Sequence, residues 1–280
     1  MKPLINTHLQ ESFHLSGIHV SRATVRPASM RSLKEFGPNA ESENSVDVRA
    51  AAAMCQYAYS KLSPGSGPEA ELIDGWKPMD EFEVNRLVGS GFHSKLKDAY
   101  SGFSSMLFHK QANGIQYYAY CTVGTDELID WVEDFTQAFI AGLSRQYSYS
   151  VGMAKQIDSA IGDKAVLWFI GHSLGGGLAS NNSLVTGRHA ITFNAAGLNS
   201  YREVFSLLWN NPKGLFHPIK NTQRVHAFVL EGELLNTLSK WICQEAFGEK
   251  HIIEFKDKTI GTKRRHSLTT ILDVMGMRYK

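Results

Sequence analysis

The chain has 280 residues, 43% hydrophobic and 20% charged, the balance of an ordinary globular protein long enough for one large domain. Lys and Arg number 29 against 27 Asp and Glu, a net charge of +2, which excludes a nucleic-acid partner held by charge. The three cysteines, Cys55, Cys121 and Cys243, are odd in number and far apart, which excludes a disulfide framework and a Cys-x-x-Cys metal site.

Residues 1–45 are rich in Ser, Asn, Pro and charge, with Arg22, Arg26, Arg31 and Lys34 scattered among them. They read as a loosely structured N-terminal arm, and residues 46–280 as a single domain. The first residues lack the apolar core of a secretory signal, and no apolar run reaches the ~18 residues of a membrane span. The expectation is a chain made in the cytoplasm that, if exported, leaves by a route reading no cleaved signal. From Val46 to Leu62, Val48, Ala51, Ala52, Cys55, Ala58 and Tyr59 recur at helical spacing, and the run Ser63-Pro-Gly-Ser-Gly-Pro68 ends the helix. Residues 69–98 are polar and give no clear pattern. Gly102–His109 and Ile115–Val123 flank Ala112-Asn113-Gly114, which predicts a hairpin. Asp126–Leu143 is amphipathic, with Leu128, Trp131, Val132, Phe135, Ala138 and Phe139 on one face, and a second helix is expected over Arg145–Ile161. Strands follow at Ala165–Ile170, Arg188–Phe193 and Arg224–Leu230. Lys250–Phe255 alternates as an edge strand does, and Ser267–Met277 closes the chain as a helix. Strands alternating with helices predict an α/β fold, a mainly parallel sheet with helices on both faces, and the hairpin adds antiparallel strands at one side.

The densest signal is Ala165-Val-Leu-Trp-Phe-Ile-Gly171-His-Ser173-Leu-Gly175, followed by Gly176, Gly177 and Ala179. A Gly-x-Ser-x-Gly pattern alone arises by chance in roughly one chain in ten of this length, from average residue usage. Here it joins a buried-strand run to small residues that let a helix lie on the sheet. That context predicts a strand, a sharp turn and a helix with Ser173 at the apex. Gly171 and Gly175 are required because a Cβ at either position would clash in so tight a bend. The turn aims the backbone N–H of Leu174 and the helix N-terminus at the point where an oxyanion would develop.

A serine hydroxyl needs a base, and the base an orienting acid, in the chain order Ser, Asp or Glu, His for this architecture. His189, His226 and His251 fall inside strand-like runs, and His217 sits in a Pro-flanked loop. His266, in the polar loop before the last helix, is the candidate base. The strand ending at Leu230 runs into Glu231-Gly232-Glu233, so Glu233 is the candidate acid and Glu231 its alternative, ahead of Asp273 inside the last helix. The second oxyanion donor is expected from Gly124-Thr125, through the Thr125 N–H. Cys121, in an apolar strand, reads as a buried small hydrophobe.

Gly124-Thr125, Asp130-Trp131 and Gly171-His172-Ser173-Leu174-Gly175-Gly176 together resemble the class 3 (fungal-type) lipases, an α/β-hydrolase family, over about residues 100–280. Glu233 and His266 fall where that family puts its acid and base. The chain departs from the family pattern at Val123, where Arg is usual, and in offering Glu rather than Asp as the acid. More loosely, it is similar to lipase effectors of type VI secretion. The resemblance implies a carboxylic-ester hydrolase (lipase or phospholipase) acting on a lipid or phospholipid at a membrane or micelle surface, with no metal or organic cofactor. An acyltransferase or thioesterase with the same nucleophile, or an inactive binding protein on the same fold, is the alternative. The effector resemblance adds a secretion-apparatus component or an inhibitory immunity protein as partners. Tyr201–Phe216, carrying Phe205, Trp209 and Phe216, is expected to border the Ser173 cleft as a lid or acyl groove.

Overall fold

The computed structural model describes residues 46–63, 65, 67–124, 137–197, 224–235, 246–255, 257 and 259–279, and the backbone of 13–15, 18–20 and 23–25. Within the stretch expected as an arm, the backbone forms β1 (Phe13–Leu15) and β2 (Ile18–Val20), an antiparallel pair, and β3 (Ala23–Val25). Helix α1 (Val48–Leu62) is capped by Asp47, whose side chain accepts the Arg49 N–H at 2.7 Å. Its alanines bring the backbone close to the sheet. The patternless residues 69–98 fold into β4 (Lys77–Pro78), α2 (Glu81–Val88) with a reciprocal Asp80–Glu83 capping box, and the short β5 (Lys97–Asp98).

The hairpin β6 (Phe103–Ala112) and β7 (Ile115–Val123) pairs Ala112 with Ile115 across a two-residue turn. Asn113 and Gly114 both hold positive φ (51° and 78°), the conformation such a turn needs and that Asn-Gly supplies. From β7 onward the ladder is parallel through β8 (Val166–His172), β9 (His189–Phe193), β10 (Val225–Leu230) and β11 (Glu249–Ile253). The order of the nine-stranded sheet is β3-β11-β10-β9-β8-β7-β6-β4, with β5 also on β6. β11 is therefore not an edge strand: β3 pairs with it antiparallel, Ile252 opposite Thr24.

Helices cover both faces. Along β8, Trp168 and Ile170 point into the core shared with α1, while Leu167 and Phe169 point into the other. A strand buried on both sides explains the unbroken apolar run in the sequence. The second face is covered by α3 (Gln137–Ile161) and α4 (Leu174–Thr186). Two helices were expected across 126–161, but Gln137–Ile161 is one continuous helix. The expected break fell at Ser144, yet there is no proline there, and the apolar face continues through Tyr147, Val151, Ala154, Ile157 and Ile161. The residues before 137, including Asp130 and Trp131, lie outside the described residues. The chain closes with α5 (Thr262–His266) and α6 (Leu268–Val274), which packs against α1. Among the described residues no helix is long and apolar enough to cross a membrane.

Candidate active site

Ser173 sits between β8 and α4 with φ 58° and ψ −128°, a backbone conformation that is strained for any residue with a Cβ. The turn is locked from both sides. A Cβ on Gly171 would lie 2.1 Å from the Gly175 carbonyl oxygen, and one on Gly175 would lie 2.2 Å from that of Thr122. The Thr122 hydroxyl donates to the Gly175 carbonyl at 2.7 Å, and the Ser173 N–H to the Phe193 carbonyl at 3.1 Å. The strain is thus held by the two flanking strands. Leu174, the first residue of α4, carries one of the N–H donors a helix cannot use internally, directly after the serine.

Beyond the end of β10, the Glu231-Gly232 turn puts Gly232 at φ 72°, and the Glu233 N–H closes back on the Leu230 carbonyl at 3.1 Å. The turn directs Glu233 inward, where it is fully buried. One carboxylate oxygen, Oε2, accepts from the Leu235 N–H at 2.9 Å and from His266 Nδ1 at 2.7 Å. His266 therefore carries its proton on Nδ1. Its Nε2 lone pair faces the Ser173 hydroxyl at 2.9 Å. The structure thus brings Ser173, His266 and Glu233 into one hydrogen-bonded chain, all three buried. Glu231 is exposed and does not join it. Among the described residues its carboxylate accepts only the Phe255 N–H, at 3.5 Å, and its backbone carbonyl accepts from Arg265. Asp273 lies on α6 and accepts from the Tyr279 hydroxyl.

The residue carrying the base is held by its backbone. The His266 carbonyl accepts from His172 Nε2 at 2.8 Å and from Asn194 Nδ2 at 3.1 Å. Asn194, just past β9 at φ 40°, also accepts the Leu230 N–H through Oδ1 at 2.8 Å. One amide side chain therefore joins the ends of β9 and β10 to the base loop. Arg265 ties the same loop to the acid turn, donating to the Glu231 carbonyl at 3.0 Å. Burial first, and then the neighbouring His266, pushes the His172 imidazole down to about 3, partly offset by its bond to the His266 carbonyl. His172 is neutral and acts as a fixed donor.

On the oxyanion side, Gly124 passes directly over the elbow: a Cβ there would lie 3.2 Å from the Leu174 nitrogen. The Tyr59 hydroxyl on α1 accepts the Gly124 N–H at 2.8 Å and donates to the His172 carbonyl at 3.1 Å. Thr125, the expected second donor, lies outside the described residues, as does the expected lid Tyr201–Phe216. Tyr59, His172, Asn194 and Arg265 were not singled out in the sequence. His172 and Asn194 carried a faint signal, the first as the residue before the nucleophile and the second as an Asn directly after a buried strand. Tyr59 carried none, since its partner His172 is 113 residues away.

Three comparisons with known proteins show what the chain is similar to. An extracellular phospholipase A1 of Serratia liquefaciens is 39% identical over 205 residues, which is 64% of this chain. The aligned stretch spans 62% of that relative's length. Two solved structures of Rhizomucor miehei lipase, each 13% identical, are more distant. The triacylglyceride lipase covers 74% of this chain and 78% of its own at a TM-score of 0.45. A lipase–propeptide complex covers 92% and 99% at 0.35. At TM-scores below 0.5 neither adds to what the strand order itself establishes. A family model described as a Tle-like phospholipase domain matches residues 50–275, which is most of the chain, and the chain belongs to that family.

Proposed function

We propose that the protein is a phospholipase that hydrolyses a carboxylic ester of a glycerophospholipid by covalent catalysis at Ser173. The observation that carries this reading is the continuous Ser173–His266–Glu233 hydrogen-bond chain at a strained strand-to-helix turn. His266 Nε2 takes the hydroxyl proton as Ser173 Oγ attacks the ester carbonyl carbon. The Leu174 N–H, with the Thr125 N–H proposed as its partner, stabilises the tetrahedral oxyanion. The imidazolium, held by Glu233, then protonates the leaving lysophospholipid oxygen, and water cleaves the acyl-enzyme by the same steps in reverse roles. Membership of the Tle-like family and the likeness to a phospholipase A1 support phospholipid as the substrate and the sn-1 ester as the bond broken.

The test uses a phospholipid with different acyl chains at its two positions, in mixed micelles, with products identified by mass. Release of the sn-1 fatty acid by the wild type and not by Ser173→Ala is the expected result. Release of the sn-2 chain overturns the regiochemistry. Transfer of the acyl group to an added alcohol in preference to water makes the enzyme an acyltransferase. The resemblance to type VI secretion effectors supports a setting for this activity, signal-independent export with an inhibitory immunity protein as partner. Pull-down of a tightly bound protein from the source cells, with loss of lipid hydrolysis in the complex, is the corresponding test.

A further inference from the structure

The sheet carries a second group of reactive side chains that the hydrolytic site does not use. His226 is the second residue of β10, and Glu249 and His251 are the first and third residues of β11. The parallel register places Glu249 opposite His226 and His251 opposite Phe228. Residues two apart in a strand share a face, so His226, Glu249 and His251 all project to the same side, the face covered by α1. Their ligand atoms converge within 4.8 Å of one another. His251 Nε2 lies 3.4 Å from His226 Nδ1, and His226 Nδ1 lies 3.6 Å from Glu249 Oε2. Nitrogen and oxygen ligands ~2.0–2.1 Å from a tetrahedral zinc ion are about 3.3–3.5 Å apart, so the two separations at His226 Nδ1 are close to such edges, and the third pair lies within 4.8 Å.

The walls suit a site of this kind. His226 and His251 are buried, and Glu249 is half-buried, so one side stays open to solvent. Phe228 stacks on His251 with ring centroids 4.7 Å apart, and His189 lies parallel to His226 at 6.4 Å. Packed rings fix the imidazoles, so little side-chain freedom is lost on coordination. Two imidazoles and a carboxylate are a borderline donor set that suits zinc and its neighbours and not calcium or magnesium, which take oxygen. β10 rises about 3.3 Å per residue, which puts the cluster on the order of 15–20 Å from Glu233, at the opposite end of the same strand. An ion there takes no part in the ester chemistry.

From the convergence of these three side chains on adjacent strands, we infer that His226, Glu249 and His251 bind one zinc-class divalent cation that clamps β10 to β11. The three protein ligands leave a fourth position for water or a further ligand. Because β3 pairs with β11 beside His251, opposite Val25, the clamp also secures the strand on which the N-terminal segment docks.

The test uses the full chain without a polyhistidine tag, dialysed against chelator and titrated with Zn²⁺ by calorimetry and with Co²⁺ by visible absorption. One ion per chain is expected, with a tetrahedral Co²⁺ spectrum, no competition from Mg²⁺ or Ca²⁺, and a raised melting temperature. Glu249→Gln, at a half-exposed position, and His226→Gln should each weaken binding by more than the ~10–100-fold typical of an outer-shell partner. Ester hydrolysis by Glu249→Gln should match the wild type. His266→Ala should bind the ion as the wild type does. Absence of stoichiometric binding, binding unchanged in both ligand variants, or binding lost in His266→Ala overturns the inference. The three side chains would then form a hydrogen-bonded relay only.

Discussion

Replacing Glu233 with Gln isolates the charge of the triad from its shape. The Gln amide oxygen can occupy the place of Oε2 and still accept the Leu235 N–H and the His266 Nδ1–H, now at 2.9 and 2.7 Å. What disappears is the negative charge facing the imidazolium formed during acylation. Glu233 and His266 are 0% and 1% exposed, so solvent screens the pair little. Unit charges ~4 Å apart at an effective dielectric constant near 20 interact by about 4 kcal/mol. At ~1.36 kcal/mol per decade, that is a loss of about 10³-fold in kcat. A share of molecules with the wrong imidazole tautomer carries the loss toward ~10⁴-fold. KM and the melting temperature should change little, since neither depends on the charge of the transition state. The assay is steady-state hydrolysis of a soluble short-chain ester and of phospholipid micelles, with Glu231→Gln as the partner variant. Glu231→Gln should retain wild-type kinetics, because its carboxylate is exposed and lies far from the imidazole in hydrogen-bond terms. A loss below about tenfold for Glu233→Gln, or a crippling loss for Glu231→Gln, refutes the assignment of the acid.

Other expectations follow from the same geometry. Ser173→Ala and Ser173→Gly should both abolish hydrolysis, but the glycine variant should be the more stable by about 1–3 kcal/mol, because only glycine relaxes at φ 58°. Equal melting temperatures would show that the elbow is unstrained. Tyr59→Phe removes the acceptor of the Gly124 N–H and should cost about 1–3 kcal/mol of stability, with kcat falling more than KM as the oxyanion loop loosens. An unchanged kcat would remove Tyr59 from the positioning network. His172 titrates at about 3 in the folded chain, below its ordinary value near 6.5. Below pH ~6.5 the unfolded chain takes up a proton that the folded chain refuses. Its share of the stability is therefore complete above that pH and falls by about 1.4 kcal/mol per unit as the pH drops toward 3. Urea unfolding from pH 7.5 to 4.5 should show a shallower acid slope for His172→Asn, and identical slopes would mean the imidazole is not held neutral.

The legible parts of this molecule are those whose physics is local. The elbow shows in sequence because a bend that tight admits only glycine two residues before and two residues after Ser173. The hairpin shows because Asn113-Gly114 readily adopts the two consecutive positive φ values of its turn and sits between two strand-like runs. Glu233 was reachable because a glycine after a buried strand marks a turn that can re-aim a side chain. The break expected at Ser144 failed for the converse reason, since one polar residue within a helical periodicity does not end the helix. Lys250–Phe255 alternates like an edge strand, but β3 is only three residues long, Ala23–Val25, too short a run to read as a strand, and it pairs with a strand more than 200 residues away. Tyr59, Asn194 and Arg265 reach the site through hydrogen bonds to residues 34 to 113 positions distant, and no spacing rule covers those. The histidines of β10 and β11 fall inside strand-like runs of the sequence. What the sequence did not show is that the parallel register aligns them.

The anchoring of residue 266 has a practical consequence. His172, Asn194 and the neighbouring Arg265 all grip main-chain carbonyls, and none of them touches the imidazole of position 266 through a hydrogen bond. The side chain there is thus a removable part in a rigid socket. Cutting it back to methyl in His266→Ala should leave the loop in place and open a hole the size of one aromatic five-membered ring. Its rim carries the Ser173 hydroxyl on one side and the Glu233 carboxylate on the other. Free imidazole added to the medium can enter that hole with its N–H toward Glu233 and its lone pair toward Ser173. Turnover by the crippled enzyme should then rise with imidazole concentration and saturate, whereas Ser173→Ala should stay silent at every dose. A protein whose machinery can be completed by a diffusible small molecule offers chemical control over when it works.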